Sequence, residues 1–271
     1  MAETLASIDN LAELALLAAL ASTRFALAFL LQPLFAPETV PQLVRAALFL
    51  TFGIVTLAVQ PPMDISQLGL TEWLGLFAKE AFLGLALGLL LAAILWAFDS
   101  AGAVVDGVSG MSMAQIADPL SGRQVTLSSA FLGRLAVYIF MFSGGLMLWV
   151  GMLIESFSVW PLAQPTLVIQ SGGVVLFENA FAAYAGLMFM IAAPVLVVLY
   201  AIDLSLGLMN RYAPQLNLIT ISISLKGLAA ALIWLVLITT LMQTLLQHIA
   251  ELIPTMLDQV RALFGESAAP W

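Results

Sequence analysis

The chain has 271 residues, 62% hydrophobic and 9% charged, with a mean hydropathy of +1.08 and a formal net charge of −8. A soluble domain carries roughly 25% charged residues, so this chain lacks the side chains for a polar surface, and lipid or apolar partner subunits must cover much of it. Eight Lys and Arg residues provide no basic surface for nucleic acid, the lack of Cys removes disulfides and thiolate chemistry, and a lone His248 cannot build a histidine metal site.

Glu3 and Asp9 precede the first hydrophobic run where a cleavable signal would carry basic residues, so that run is expected to be retained. A bilayer core roughly 30 Å thick takes about 20 helical residues. Six hydrophobic regions approach that length: Leu11–Leu31, Leu43–Val59, Trp73–Phe98, Ala130–Ile154, Phe181–Leu206 around Pro194, and Gly227–Leu246. From Gln247 to Phe264 the pattern turns amphipathic, with His248, Glu251, Asp258 and Arg261 among spaced apolar residues. Pro254 is expected to kink or divide that stretch, which suits an interfacial or partner-bound helix better than a seventh span. The fold class predicted is all-α: a polytopic integral membrane protein with broken helices and a C-terminal amphipathic segment, one domain over 1–271.

The connections differ in character. Gln32–Gln42 holds Pro33, Pro37 and Pro41 and reads as a rigid turn or broken helix. Gln60–Thr71 reads as a compact polar loop, and Ser156–Asn179 contains a briefly strand-like Thr166–Gln170. Arg45, Arg123, Arg134, Arg211 and Lys226 lie in or beside the first, third and fifth connections, which the positive-inside rule assigns to the cytoplasm.

Two segments concentrate chemistry. Asp99–Arg123 is too apolar for a solvated loop and too rich in Gly and charge for a lipid-facing helix, so it reads as broken backbone inside protein or a wet cavity. Its carboxylates, Asp99, Asp106 and Asp118, should meet water, a basic residue or a helix N-terminus. Met111 and Met113 are adaptable enough to seal a narrow passage or to pack subunit contacts. Asp118-Pro119 resembles a turn or helix start. The second segment, Asp203–Lys226, contains Asn210, Arg211, Tyr212, Ala213, Pro214, Gln215, Leu216 and Asn217 between two hydrophobic runs. Pro214 blocks a helical hydrogen bond, while Gln215 and Asn217 can satisfy freed backbone groups. Arg211 can pair with Asp203, Asp106 or Asp118, or grip carbonyls at a subunit boundary. Within the spans, Arg24, Glu80 and Asp203 either line a polar interior or, for Arg24 and Glu80, reach water from helix ends. Gly84 and Gly88 form one Gly-x-x-x-Gly spacing, a weak packing signal alone.

At those two segments the chain resembles the T component of the bacterial type III secretion export apparatus, related to the flagellar export protein R. The blocks that carry the resemblance are Ala101-Gly102 through Asp106, Gly110, Ser112–Ala114 and Asp118–Gly122, then Leu208–Asn217 to Lys226. The second block, ending Ser-Leu-Lys, looks closer to injectisome members than to flagellar ones. The resemblance implies a non-enzymatic, channel-forming subunit of the inner-membrane export gate, without cofactor or metal. It also implies a single copy assembled with R-type and S-type subunits, the U-type switch protein nearby, a core raised toward the periplasm, and unfolded proteins as the passing substrate. Candidate channel or assembly residues are then Asp106, Met111, Met113, Asp118, Pro119, Asn210, Arg211, Pro214, Gln215, Asn217 and Lys226.

Other classes make different demands. A stand-alone solute or ion transporter would gather Asp99, Asp106, Asp203 and Arg211 at a central site. A membrane enzyme would need partners for Ser112, Ser121 or Ser128, and no ordered Ser-His-acid pattern exists. A passive scaffold would show assembly defects without altered permeability.

Overall fold

A computed structural model of the chain describes residues 2–35, 40–60, 68–113, 116–117, 124–164, 173–212 and 218–264. Among them are α1 (Ala2–Leu30), α2 (Gln42–Val59), α3 (Leu70–Ser109), α4 (Leu127–Phe142), α5 (Gly145–Val159), α6 (Gly173–Tyr212) and α7 (Leu218–Phe264). A minimal antiparallel ribbon, β1 (Ile116–Ala117) with β2 (Gln124–Val125), pairs Ile116 with Val125 and Ala117 with Gln124. Among the described residues five helices are long and apolar enough to cross a membrane, and the number of spans is six when the bent pair α4 and α5 counts as one. The expected all-α architecture of long apolar helices is therefore present; a broken helix pair is present too, but at Ser143-Gly144, where Gly144 has φ +78°, inside a region read as one run.

The chain divides into two compact units. One comprises Met1–Ala92, Leu146–Phe177 and Leu252–Trp271; the other comprises Ala93–Gly145 and Glu178–Glu251.

In the first unit, α1 buries Leu20, Ala21, Arg24, Phe25, Ala28 and Phe29 completely, a stripe repeating at the helical period. The stripe meets α3 at the two spaced glycines. A Cβ at Gly84 would lie 2.5 Å from the Arg24 carbonyl oxygen, and one at Gly88 would lie 2.6 Å from that of Ala28. Gln32 donates its side-chain N–H to the Gly88 carbonyl at 3.2 Å. The glycine spacing thus marks a real backbone approach between helices. On its other flank α1 receives α2, whose Gly53 packs on Ser22, and Phe29 stacks edge-on against Trp149 of α5 at 4.4 Å.

In the second unit, the end of α3 packs on the start of α4 through Gly102, whose missing side chain leaves room for the Ser128 backbone. Phe98, Ala101, Val105, Leu132, Ala136 and Phe140 are fully buried there, with Ala192, Val195 and Leu199 of α6 and Leu245 of α7.

Several boundaries differ from the sequence reading. The third hydrophobic region does not end at Phe98: the helix runs to Ser109, so Asp99–Ser109 is regular helix rather than broken backbone. Gly102 permits close packing against the Ser128 backbone instead of interrupting the helix. The fourth region is two helices, not one. Pro254 does not divide the last helix, because α7 remains helical from Leu218 to Phe264, whereas α6 continues through Pro194 as the fifth region did. The proline-rich first connection contains a short 3-10 turn at Pro33–Phe35, and Arg45 donates to its Phe35 carbonyl at 3.1 Å. The strand-like Thr166–Gln170 lies outside the described residues.

Candidate functional site

Asp106 shows why α3 stays helical. It is fully buried on α3, and its two carboxylate oxygens accept the backbone N–H and the hydroxyl of Ser128, both at 2.6 Å. Ser128 is in the first turn of α4, where backbone N–H groups have no intrahelical partner and the helix dipole is positive. Thr126, the N-cap of α4, makes no capping bond with its own side chain. The cap arrives from another helix. The requirement that Asp106 meet water, a cation or a helix N-terminus is met by the last of these. Two turns earlier Asp99 accepts the Ser129 hydroxyl, and Ser100 shares a 2.8 Å hydrogen bond with Tyr184 of α6.

Just beyond, Lys226 near the start of α7 closes the end of α3. Its ammonium lies 2.9 Å from Asp203 of α6 and donates to the Val108 carbonyl at 3.0 Å. Val108 belongs to the last turn of α3, where carbonyls lack helical partners and a cation is favoured. Gly110 follows with φ +81°, the left-handed conformation that ends many helices. The chain then enters a 3-10 turn, Met111–Met113. Met111 packs over Gly227, where a Cβ would come within 2.7 Å of its sulfur. The adjacent Lys226 and Gly227 therefore do separate tasks: one caps α3, and the other makes room for the methionine that leaves it.

The remaining candidates are placed as follows. Asn210, Arg211 and Tyr212 form the exposed end of α6 rather than an interruption between helices. Asp203 pairs with Lys226 and Asp106 binds Ser128, so neither is the partner of Arg211. Asp118, Pro119, Pro214, Gln215 and Asn217 lie outside the described residues, and Met113 shares the turn with Met111.

The other unit holds a site that the sequence reading did not assemble. Arg24 and Glu80 are fully buried and pair at 2.7 Å, with a second guanidinium contact at 3.1 Å. The alternative of long stems reaching water is overturned. Arg24 also donates to the Ser156 hydroxyl at 2.7 Å and the Trp160 carbonyl at 2.9 Å, with its guanidinium 3.6 Å from the Phe157 ring centroid. Lys79 pairs with Glu80 at 2.9 Å and donates to the carbonyls of Pro161, Leu162 and Gln164. Two cations thus share one carboxylate, and the surplus charge is spread over carbonyls just beyond the C-terminus of α5. Opposite charges in separate apolar runs were the only clue, because Arg24 and Glu80 stand 56 positions apart.

The chain is similar to known bacterial export proteins. Residues 15–252 match the family model of bacterial export proteins, family 1. The chain is 28% identical over 176 residues to Yop proteins translocation protein T of Yersinia pestis, covering 65% of this chain and 66% of that one. It is 31% identical over 161 residues to surface presentation of antigens protein SpaR of Salmonella typhimurium, covering 59% of each. With flagellar biosynthetic protein FliR of Bacillus subtilis the identity is 26% over 243 residues, covering 88% of this chain and 92% of that one. The chain spans slightly less than two thirds of the length of the Yersinia protein. It belongs to bacterial export proteins, family 1, the membrane family that includes the T components of type III secretion export apparatus and the flagellar export protein R.

Proposed function

We propose that the chain is a non-enzymatic, channel-forming subunit of a type III export gate. In this reading a single copy assembles with R-type and S-type subunits, beside the U-type switch protein, to pass unfolded proteins across the bacterial inner membrane. The family match over residues 15–252 carries the proposal. Two features support it. Large apolar side chains stand exposed along α2, α6 and α7, including Leu43, Val59, Val197, Leu204, Leu235 and Val236, as expected of a chain whose outer faces meet lipid and neighbours. The carboxylates that a solute transporter would use are committed within the chain, Asp106 to α4 and Asp203 to Lys226.

The proposal includes six crossings, with α4 and α5 as one broken span, an amphipathic 247–264 segment, and a core projecting toward the periplasm. The methionine turn lies at the closed passage, and Arg211 at the exposed end of α6 contacts a neighbouring subunit. Its test is a pair of variants in the co-expressed complex. Arg211→Ala should lower complex abundance or secretion more than the exposed Leu204→Ala change; normal levels of both would remove Arg211 from the assembly surface. Met111→Ala with Met113→Ala should raise conductance of intact complexes, and an unchanged conductance would make the methionines packing residues.

A further inference from the structure

Four residues near the start of α7 hold the end of α3 in two adjacent rows at helical spacing. Ser222 and Lys226 form the first row. The Ser222 hydroxyl donates to Asp203 of α6 at 3.4 Å, and the Lys226 ammonium lies 2.9 and 3.2 Å from the two carboxylate oxygens of Asp203. Ile223 and Gly227 form the second row. A Cβ at Gly110 would lie 3.2 Å from the Ile223 side chain, and one at Gly227 would lie 2.7 Å from the Met111 sulfur. With the Val108 carbonyl at 3.0 Å, the ammonium has three oxygen acceptors for its three N–H groups, and Asp203 supplies two of them. The Met111–Met113 turn leaves α3 directly after these contacts.

We infer that Lys226 and Asp203 are positioning residues for the closed passage: Asp203 holds the ammonium on the Val108 carbonyl, which fixes where α3 ends and where the methionine turn stands. The pair has the exposure that a reversible contact needs. The Lys226 side chain is 10% exposed and that of Asp203 41%, so water can replace the ammonium at the carboxylate without leaving a buried charge behind. Arg24 and Glu80, both fully buried, cannot part in this way. Both rows belong to the same turns of α7, so a shift of those turns releases Val108, Gly110 and Met111 together. The inference rests on the proposed placement of the methionine turn at the closed passage.

The test is the leak conductance of the reconstituted hetero-oligomer, read beside its abundance. Lys226→Met should raise conductance about two- to fivefold, the shift that losing a partly exposed ion pair gives a closed–open equilibrium, with abundance unchanged. Asp203→Asn should raise it in the same direction, because the cation is no longer held on Val108. Lys226→Arg keeps the cation and should bring conductance back toward that of the unsubstituted complex. Lower abundance with normal conductance in the complexes that form would make the pair structural and overturn the positioning role. A closed Asp203→Asn complex would show that Lys226 holds Val108 unaided and overturn the part given to Asp203. If Met111→Ala with Met113→Ala leaks while Lys226→Met stays closed, the positioning role fails alone. If neither leaks, the seal at the methionine turn fails and the inference with it.

Discussion

In the unit containing α1, a buried carboxylate is held by two cations; in the unit containing α4, a buried carboxylate is held by a helix N-terminus and a hydroxyl. Glu80 sits between Arg24 and Lys79, so removing it leaves two buried positive charges facing carbonyls and a ring. Asp106 sits against fixed dipoles, so losing its charge leaves groups that are polar but not ionic. An apolar chain can hold ionisable residues by either route. The first fails far more sharply when one member is removed, because an uncompensated buried charge costs more than an unmade neutral hydrogen bond.

The sharpest way to break the comparison is Glu80→Leu, which should destabilise the chain by about 3–5 kcal/mol and remove most full-length protein from membranes, measured by quantitative immunoblotting. Adding Arg24→Met should restore part of that abundance, since one buried cation goes with the carboxylate; no recovery would mean that Arg24 is held by Ser156 and Trp160 rather than by Glu80. Gly84→Val tests the backbone contact beside this site. Overpacking against the Arg24 carbonyl should cost about 1–3 kcal/mol, seen as a lower midpoint of thermal unfolding in detergent. Asp106→Asn keeps an acceptor but discards the charge at the α4 N-terminus, an expected loss of about 1–2 kcal/mol by the same assay. If Asp106→Asn proved as damaging as Glu80→Leu, the contrast between the two units would collapse. The smallest change is Lys226→Met. Asp203 is 41% exposed in that pair, so solvent screening limits the stability loss to about 1 kcal/mol or less. Its local effect should be clearer: with Val108 uncapped, Met111 should oxidise faster in mass-spectrometric footprinting.

The contrast also separates what the sequence disclosed from what it hid. Hydrophobic runs disclosed the long apolar helices, because a helix long enough for a membrane writes its length into composition. The need of Asp106 for a compensating group was legible as well, although which group was not. Gly84 and Gly88 were a weak signal that became strong only when Arg24 and Ala28 appeared opposite them. Asp99–Ser109 was misread as broken for a related reason. Glycine and serine weaken an isolated helix, but here Gly102 lets α4 approach closely enough for Asp106 to cap its N-terminus, a tertiary gain that local propensity does not contain. Pro254 was similarly absorbed into a long helix. The Arg24–Glu80 and Asp203–Lys226 pairs were hidden because charge alone does not specify a partner many residues away.

The most direct test of the central claim is native mass spectrometry of the full chain, gently purified after co-expression with the neighbouring R-type and S-type membrane proteins. The account predicts a discrete hetero-oligomer containing one copy of this chain. A stable monomer or homodimer that ignores both candidates would contradict it.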